Sequence, residues 1–239
     1  MCTFGVIPGR YIFKTRDLWT DSCKTENCVK RRALFDYMGI ESRAYPGEKG
    51  LNSGINGAGI SVAITFVDQT SLESALNTKT PRGVLVEDIL GHCSNVKEAL
   101  SLYLKYYDTP LVGGNIVISD RTGGVTIEQI YPRSALEWHT TEPVVCTNHF
   151  LNLTMVNYSD HIGSKTRWKQ MKRLLENGTD DISSIKRAVS DHHGDFPICS
   201  HHGNLRTNSA VIYDLTNLSM HYHYGPPCKN NWETESLLS

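Results

Sequence analysis

The chain opens Met1-Cys2-Thr3-Phe4-Gly5-Val6. Loss of the initiator methionine, expected before so small a side chain, would leave a cysteine whose thiol and free α-amino group share one Cα. That is a nucleophile with its own base. An α-amine titrates near pKa ~8, so at neutral pH part of it is neutral and takes the thiol proton, directly or through a water. A second set of reactive side chains lies in Asp191-His192-His193-Gly194-Asp195-Phe196-Pro197-Ile198-Cys199-Ser200-His201-His202. By composition it could be a zinc site with Cys and His ligands. Its spacing argues against that, because adjacent histidines on a strand point apart and no Cys-x-x-Cys pair accompanies them. The glycines of Gly54-Ile55-Asn56-Gly57-Ala58-Gly59 lack the strand, G-x-G-x-x-G, helix order of a nucleotide site.

Positioning these groups falls to strands and helices whose periods are legible. Residues 2 to 7 and 10 to 17 are apolar and β-branched runs joined by Pro8-Gly9, a hairpin signal that puts Cys2 on the first strand. The stretch from Ser22 to Gly50 is polar and punctuated and reads as loop and irregular strand. Ile60 to Val67 reads as a strand. From Arg82 to about Tyr107 the apolar residues recur at three and four, the mark of one or two amphipathic helices. Asn115 to Gln129 reads as a hairpin, with strands following at Ser134 to His139 and Val144 to Thr147. Helices are expected from Ser164 to Leu175 and from Ile182 to Ser190, and a closing hairpin from Ser209 to Asp214 and Leu218 to Tyr224. The order is α+β and compatible with two sheets packed face to face, with helices outside.

The 239 residues, 39% of them hydrophobic, can bury a large core, and a single domain over 1–239 is expected. Lys plus Arg number 24 against 25 Asp plus Glu, with no block of like charge, so neither nucleic acid nor an anionic membrane is an expected partner. The start lacks a basic and apolar leader, and no apolar run approaches ~20 residues. Seven scattered cysteines have no disulfide-scaffold spacing and fit a reducing compartment. A soluble, cytoplasmic protein is expected.

Motifs spread along the whole chain are similar to those of N-terminal-nucleophile amidases of the penicillin acyltransferase and choloylglycine hydrolase superfamily, closest to the acyltransferase-like branch. They are Cys2-Thr3, Lys14-Thr15-Arg16-Asp17, Gly54 to Ile60, Asp120 to Glu128, Cys146-Thr147-Asn148-His149-Phe150, Ser164-Lys165-Thr166-Arg167, Ile198-Cys199-Ser200-His201 and Gly225-Pro226-Pro227-Cys228. The resemblance implies a four-layer αββα fold and cleavage of linear carbon-nitrogen amide bonds without a cofactor. It implies Cys2 as nucleophile and Asn148 as the side-chain donor of an oxyanion hole, with a second, backbone donor near Thr65 or Phe66. His149 would contact substrate or take a buried hydrogen-bonding role. Arg167 would help position the acidic group.

The family pattern of a basic residue, Asn, any residue, Asp departs here to Lys14-Thr15-Arg16-Asp17. If the first hairpin is shortened by four residues, Asp17 takes the acidic place, on the face of Cys2. The other register sets Arg16 on the basic place and Trp19 on the acidic one. The resemblance also implies a metal-free Asp-His to Cys-x-His stretch, so residues 191–202 are expected to wall the substrate pocket. The reading is then an αββα cysteine amidohydrolase or acyltransferase. It would act on a small-molecule acyl amide through an acyl-Cys2 intermediate, activated by removal of Met1 alone. The alternatives are an inactive, ligand-binding member of the fold, or a metal-binding protein built on the 191–202 cluster. The acyl group, the choice between water and amine as acceptor, and the oligomeric state, a homo-oligomer included, stay open.

Overall fold

A computed structural model describes residues 2–19, 26–42, 48–67, 81–106, 111, 113–154, 162–201, 203–229 and 231–238. The Pro8-Gly9 turn forms with Gly9 at φ +74°, where a Cβ would come within 2.9 Å of the Arg121 carbonyl oxygen. It joins β1 (Cys2–Ile7) to β2 (Tyr11–Trp19). Next come β3 (Cys28–Arg31), β4 (Tyr37–Glu41), β5 (Leu51–Asn56) and β6 (Ser61–Phe66). The helical block divides into α1 (Arg82–His92) and α2 (Val96–Tyr106). The break has a local cause: Asn95 Oδ1 accepts from the Glu98 amide at 3.0 Å, while Glu98 Oε2 accepts from the Ser94 amide at 2.7 Å, a reciprocal cap that starts a new helix.

The chain continues through β7 (Gly114–Asp120), β8 (Gly123–Ile130), β9 (Arg133–His139) and β10 (Val144–Cys146) to α3 (Ile162–Glu176) and α4 (Ile182–Val189). It ends with β11 (Leu205–Asp214), β12 (Ser219–Tyr224) and β13 (Glu233–Ser236). Strand β5, interrupted by Gly54, and the wholly polar β13 carry no strand signal in the sequence; pairing with their neighbours makes them. The order β10-β1-β2-β11-β12-β13 forms one sheet and β3 to β9 in sequence order form the other.

Three apolar layers result. Phe4, Val6 and Ile12 of the first sheet meet Met38, Ile40, Ile55 and Val117 of the second between the sheets. Outside the second sheet, Ile60, Val62 and Ile116 pack on Leu85, Ile89 and Leu90 of α1 and Tyr103 of α2. Outside the first sheet, Phe13 and Ile212 pack on Met171 and Leu175 of α3 and Ile185 of α4. At roughly 1.5–3 kcal/mol for each large side chain removed from water, these layers hold the two sheets and the helices together. This is the αββα sandwich expected from the sequence. Among the described residues no helix is long and apolar enough to cross a membrane.

Candidate active site

Cys2 lies at the end of β1, between β10 and β2. Phe4 pairs with Cys146 and Val6 with Val144 on one side. Carried two residues beyond Phe4, that register sets Cys2 against Asn148, and Asn148 Oδ1 accepts from Cys2 N at 2.6 Å. In the full-length chain this nitrogen belongs to the Met1-Cys2 peptide. Asn148 is held on every side. Its Nδ2 donates to the Phe66 carbonyl at 2.6 Å, and its own amide donates to Ser164 Oγ at 2.8 Å. The carbonyl of the preceding Thr147 accepts from Asn115 Nδ2 at 2.9 Å and Thr65 Oγ1 at 3.1 Å. Residues 147–149 are thereby clamped between β6 and β7 of one sheet and α3 on the other, which fixes the carboxamide before any ligand arrives.

On its other side β1 pairs with β2, with Cys2 opposite Arg16 and Phe4 opposite Lys14. Alternation then divides β2 into two faces. Ile12 belongs to the layer between the sheets, and so do Lys14 and Arg16; Phe13 belongs to the helix layer, and so does Asp17. The expectation that Asp17 shares the face of Cys2 is therefore corrected. Register sets facing, and with Cys2 opposite Arg16 the odd residues of β2 point away from the thiol. Asp17 is buried, accepts from Thr207 Oγ1 at 2.8 Å and feels the charge of Arg167. Burial raises its pKa, while the amino-terminal charge, Arg167 and the Thr207 hydrogen bond pull it down.

The inner face carries buried cations. Lys14 bonds Asn52 Oδ1 and the Ile64 carbonyl, and burial lowers its pKa from 10.5 to about 8 against the favourable charge of Cys2. Arg16 pairs with Glu26 and, at 3.3 Å, with Glu48. Burial works against the Arg16 cation, and these carboxylates outweigh it, lifting its pKa above the ordinary arginine value. Arg82, at the start of α1, donates to the Thr65 carbonyl at 2.7 Å; burial lowers its pKa to about 10. Arg167 is 1% exposed, its pKa lowered by burial, and its Nη2 donates to Asn148 Oδ1 at 3.4 Å.

Of the residues singled out by sequence, Cys2, Asn148, Arg16, Arg167, Thr65 and Phe66 come together at this junction, with Asp17 behind the sheet. The carbonyls of Thr65 and Phe66 accept from Arg82 and Asn148. His149 turns to the helix side, where Nδ1 lies 2.9 Å from both Thr147 Oγ1 and Ser164 Oγ. Trp19 is 54% exposed at the end of β2. Arg82, Thr207 and Asn115 escaped sequence reasoning. Arg82 left a signal: it occupies the i position of the apolar i, i+3, i+4, i+7 stripe Leu85, Val86, Ile89, where a cation must be buried and partnered.

The 191–205 loop covers the helix side of Asp17. Phe196, Pro197 and Ser200 line a cleft of about 240 Å³ together with Asp17 and Arg167. The spacing argument against a metal does not survive folding. Residues 192 and 193 are not in a strand, His193 turns outward to Asp191 at 2.6 Å, and Cys228 arrives from the far end of the chain.

The likeness to known proteins extends over the whole chain. The family model for acyl-coenzyme A:6-aminopenicillanic acid acyl-transferase matches residues 8–227. No curated protein matches. Among solved structures, a mutant of the conjugated bile acid hydrolase from Clostridium perfringens superposes with a TM-score of 0.64 at 12% identity, covering 99% of this chain and 92% of that one. The Caenorhabditis elegans ortholog of N-acylethanolamine-hydrolyzing acid amidase gives 0.63 at 15% identity, with 99% and 100% covered. Penicillin V acylase from Agrobacterium tumefaciens gives 0.61 at 13% identity, with 99% and 86% covered. At such identities the likeness is one of fold. The family match begins at Pro8, beyond Cys2, but it takes in both faces of β2, Asn148, Arg167 and the 191–205 loop, and on it the chain belongs to the acyl-coenzyme A:6-aminopenicillanic acid acyl-transferase family of the N-terminal-nucleophile hydrolase superfamily.

Proposed function

We propose that the protein is an N-terminal cysteine amidohydrolase or acyltransferase acting on linear amides, with Cys2 as nucleophile once it is the first residue. The observation that carries this reading is the 2.6 Å contact between Cys2 N and a carboxamide already locked in place. Held there, the amine sits beside its own thiol and takes the Sγ proton as the sulfur attacks the substrate carbonyl. The side-chain Nδ2 of Asn148, through the N–H not given to the Phe66 carbonyl, stabilises the oxyanion together with a backbone donor at the end of β6. Collapse breaks the carbon-nitrogen bond, the α-ammonium gives its proton to the leaving amine, and an acyl-Cys2 thioester remains. Attack on the thioester by water yields a carboxylic acid, and attack by a second amine yields a new amide.

Asp17, from behind the sheet, and Arg167 orient the amine and Asn148, while Lys14 and Arg16 line the thiol side. The named relatives act on conjugated bile acids, penicillin V and N-acylethanolamines. A linear amide of a small-molecule acyl donor, with the acyl group itself left open, is the proposed substrate class here. The described cysteines are all free, which fits action in a reducing compartment such as the cytoplasm. Intact-mass analysis after incubation with an amide-mimicking electrophile tests the reading. One adduct, mapped to Cys2 of a chain lacking Met1, supports it; full activity in a chain retaining Met1 overturns it.

A further inference from the structure

The geometry points to a structural zinc site built from His192, Cys199, His201 and Cys228. Their ligand atoms all lie within 4.8 Å of one another. His201 Nε2 is the hub, at 2.8 Å from His192 Nε2, 3.2 Å from Cys228 Sγ and 3.4 Å from Cys199 Sγ. A ring nitrogen offers one N–H or one lone pair, so three polar neighbours at hydrogen-bond distance exceed what it can satisfy. A cation among the four satisfies them together. With Zn–S near ~2.3 Å and Zn–N near ~2.05 Å, a tetrahedral ion needs N···N edges of about 3.4 Å, N···S edges of about 3.6 Å and an S···S edge of about 3.8 Å. The three separations at His201 fall short of these edges by about 0.2 to 0.6 Å, and the others, at up to 4.8 Å, exceed them by at most about 1 to 1.4 Å, so side-chain shifts of up to about an ångström close the four on an ion. Two thiolates and two imidazoles select zinc among the common divalent ions.

The placement gives such an ion a mechanical role. Cys228 lies in the short 3-10 turn Pro227–Lys229 after β12, while the other three ligands come from the loop between α4 and β11. Closing them on one ion ties the end of the first sheet to that loop. The loop is continuous with the Asp17 side of the active site: the Ser200 amide donates to Thr207 Oγ1 at 2.8 Å, and Thr207 Oγ1 donates to Asp17 Oδ1 at 2.8 Å. The zinc would act as a staple behind the general architecture of the site, outside the bond-breaking steps.

The test needs no substrate. Full-length protein purified from zinc-supplemented cells, without chelator, should hold about one zinc per chain by elemental analysis. Cys228→Ser and Cys199→Ser should each lower bound zinc at least about tenfold after dialysis. His193→Ala, altering the outward-turned neighbour, should leave it unchanged. Chelation should lower the wild-type melting temperature and leave that of Cys228→Ser nearly unmoved. Should the cysteine variants fail to fold, His192→Ala and reconstitution of the wild type with cobalt(II) alone serve instead. The inference expects loss of zinc in the first and the visible spectrum of a tetrahedral cobalt thiolate in the second. A wild type without zinc or cobalt binding, a Cys199–Cys228 disulfide found by mass analysis, or full zinc retention in Cys228→Ser overturns it.

Discussion

The two faces of β2 carry opposite chemistry a single residue apart. Toward the second sheet, Lys14 and Arg16 flank the thiol, each desolvated and partnered by Asn52, Glu26 or Glu48. Toward the helices, Asp17 meets Thr207 and the charge of Arg167. A thiol is a side chain and can be addressed from one face only, whereas an α-amine belongs to the main chain and lies in the plane of the sheet. On the proposed mechanism, with Met1 removed, one strand would present cations to the sulfur and a carboxylate to the amine without the two neutralising each other.

Removing the Cys2 thiol is the coarsest way to break the comparison. Cys2→Ala should abolish turnover and acyl-enzyme formation, and Cys2→Ser should retain little, since an alkoxide is far harder to form than a thiolate. Steady-state assay together with intact mass decides it. Asn148→Ala should lower kcat by roughly 10²- to 10³-fold with a modest change in KM, because the donor acts on charge that develops in the transition state.

The faces themselves are separated by the next pair. Asp17→Asn and Arg167→Ala should each slow acylation by up to about 10²-fold, through misplacement of the amine and of Asn148. Trp19→Phe should stay close to wild type in single-turnover measurements. If Trp19→Phe is the more damaging change, the acidic place belongs to the other register and Asp17 has no catalytic part.

The smallest effect sharpens the inner face. The folded Lys14 titrates near 8 against 10.5 in the unfolded chain. Between these values the unfolded chain binds more protons at this site, so Lys14 makes stability rise with pH there, and its burial costs stability below about 8. Urea titrations should therefore find Lys14→Met gaining less stability than wild type between pH 8 and 10. An identical rise in both proteins would show Lys14 charged throughout that range.

Much of this was legible before folding. The hairpin at Pro8-Gly9 and the α+β order followed from period and turn chemistry, and the motifs of the resemblance singled out Cys2, Asn148 and Arg167, which the fold brings together. Even Arg82 was marked by its place on an apolar helical stripe. The 22–50 stretch, read as loop and irregular strand, contains β3 and β4 among its described residues; β3 lies at the edge of its sheet, where pairing recruits residues with weak strand preference.

By itself, then, the sequence determined which residues alternate along β2 and which recur along α3, because those periods are properties of a single element. It could not determine which face of β2 Cys2 would meet, because cross-strand register depends on how two strands dock and a change of one residue reverses every side chain. Nor could it bring Cys228 to His192, Cys199 and His201: the pairing of β11 with β12 returns the chain to that loop, and no local spacing encodes a meeting across two strands.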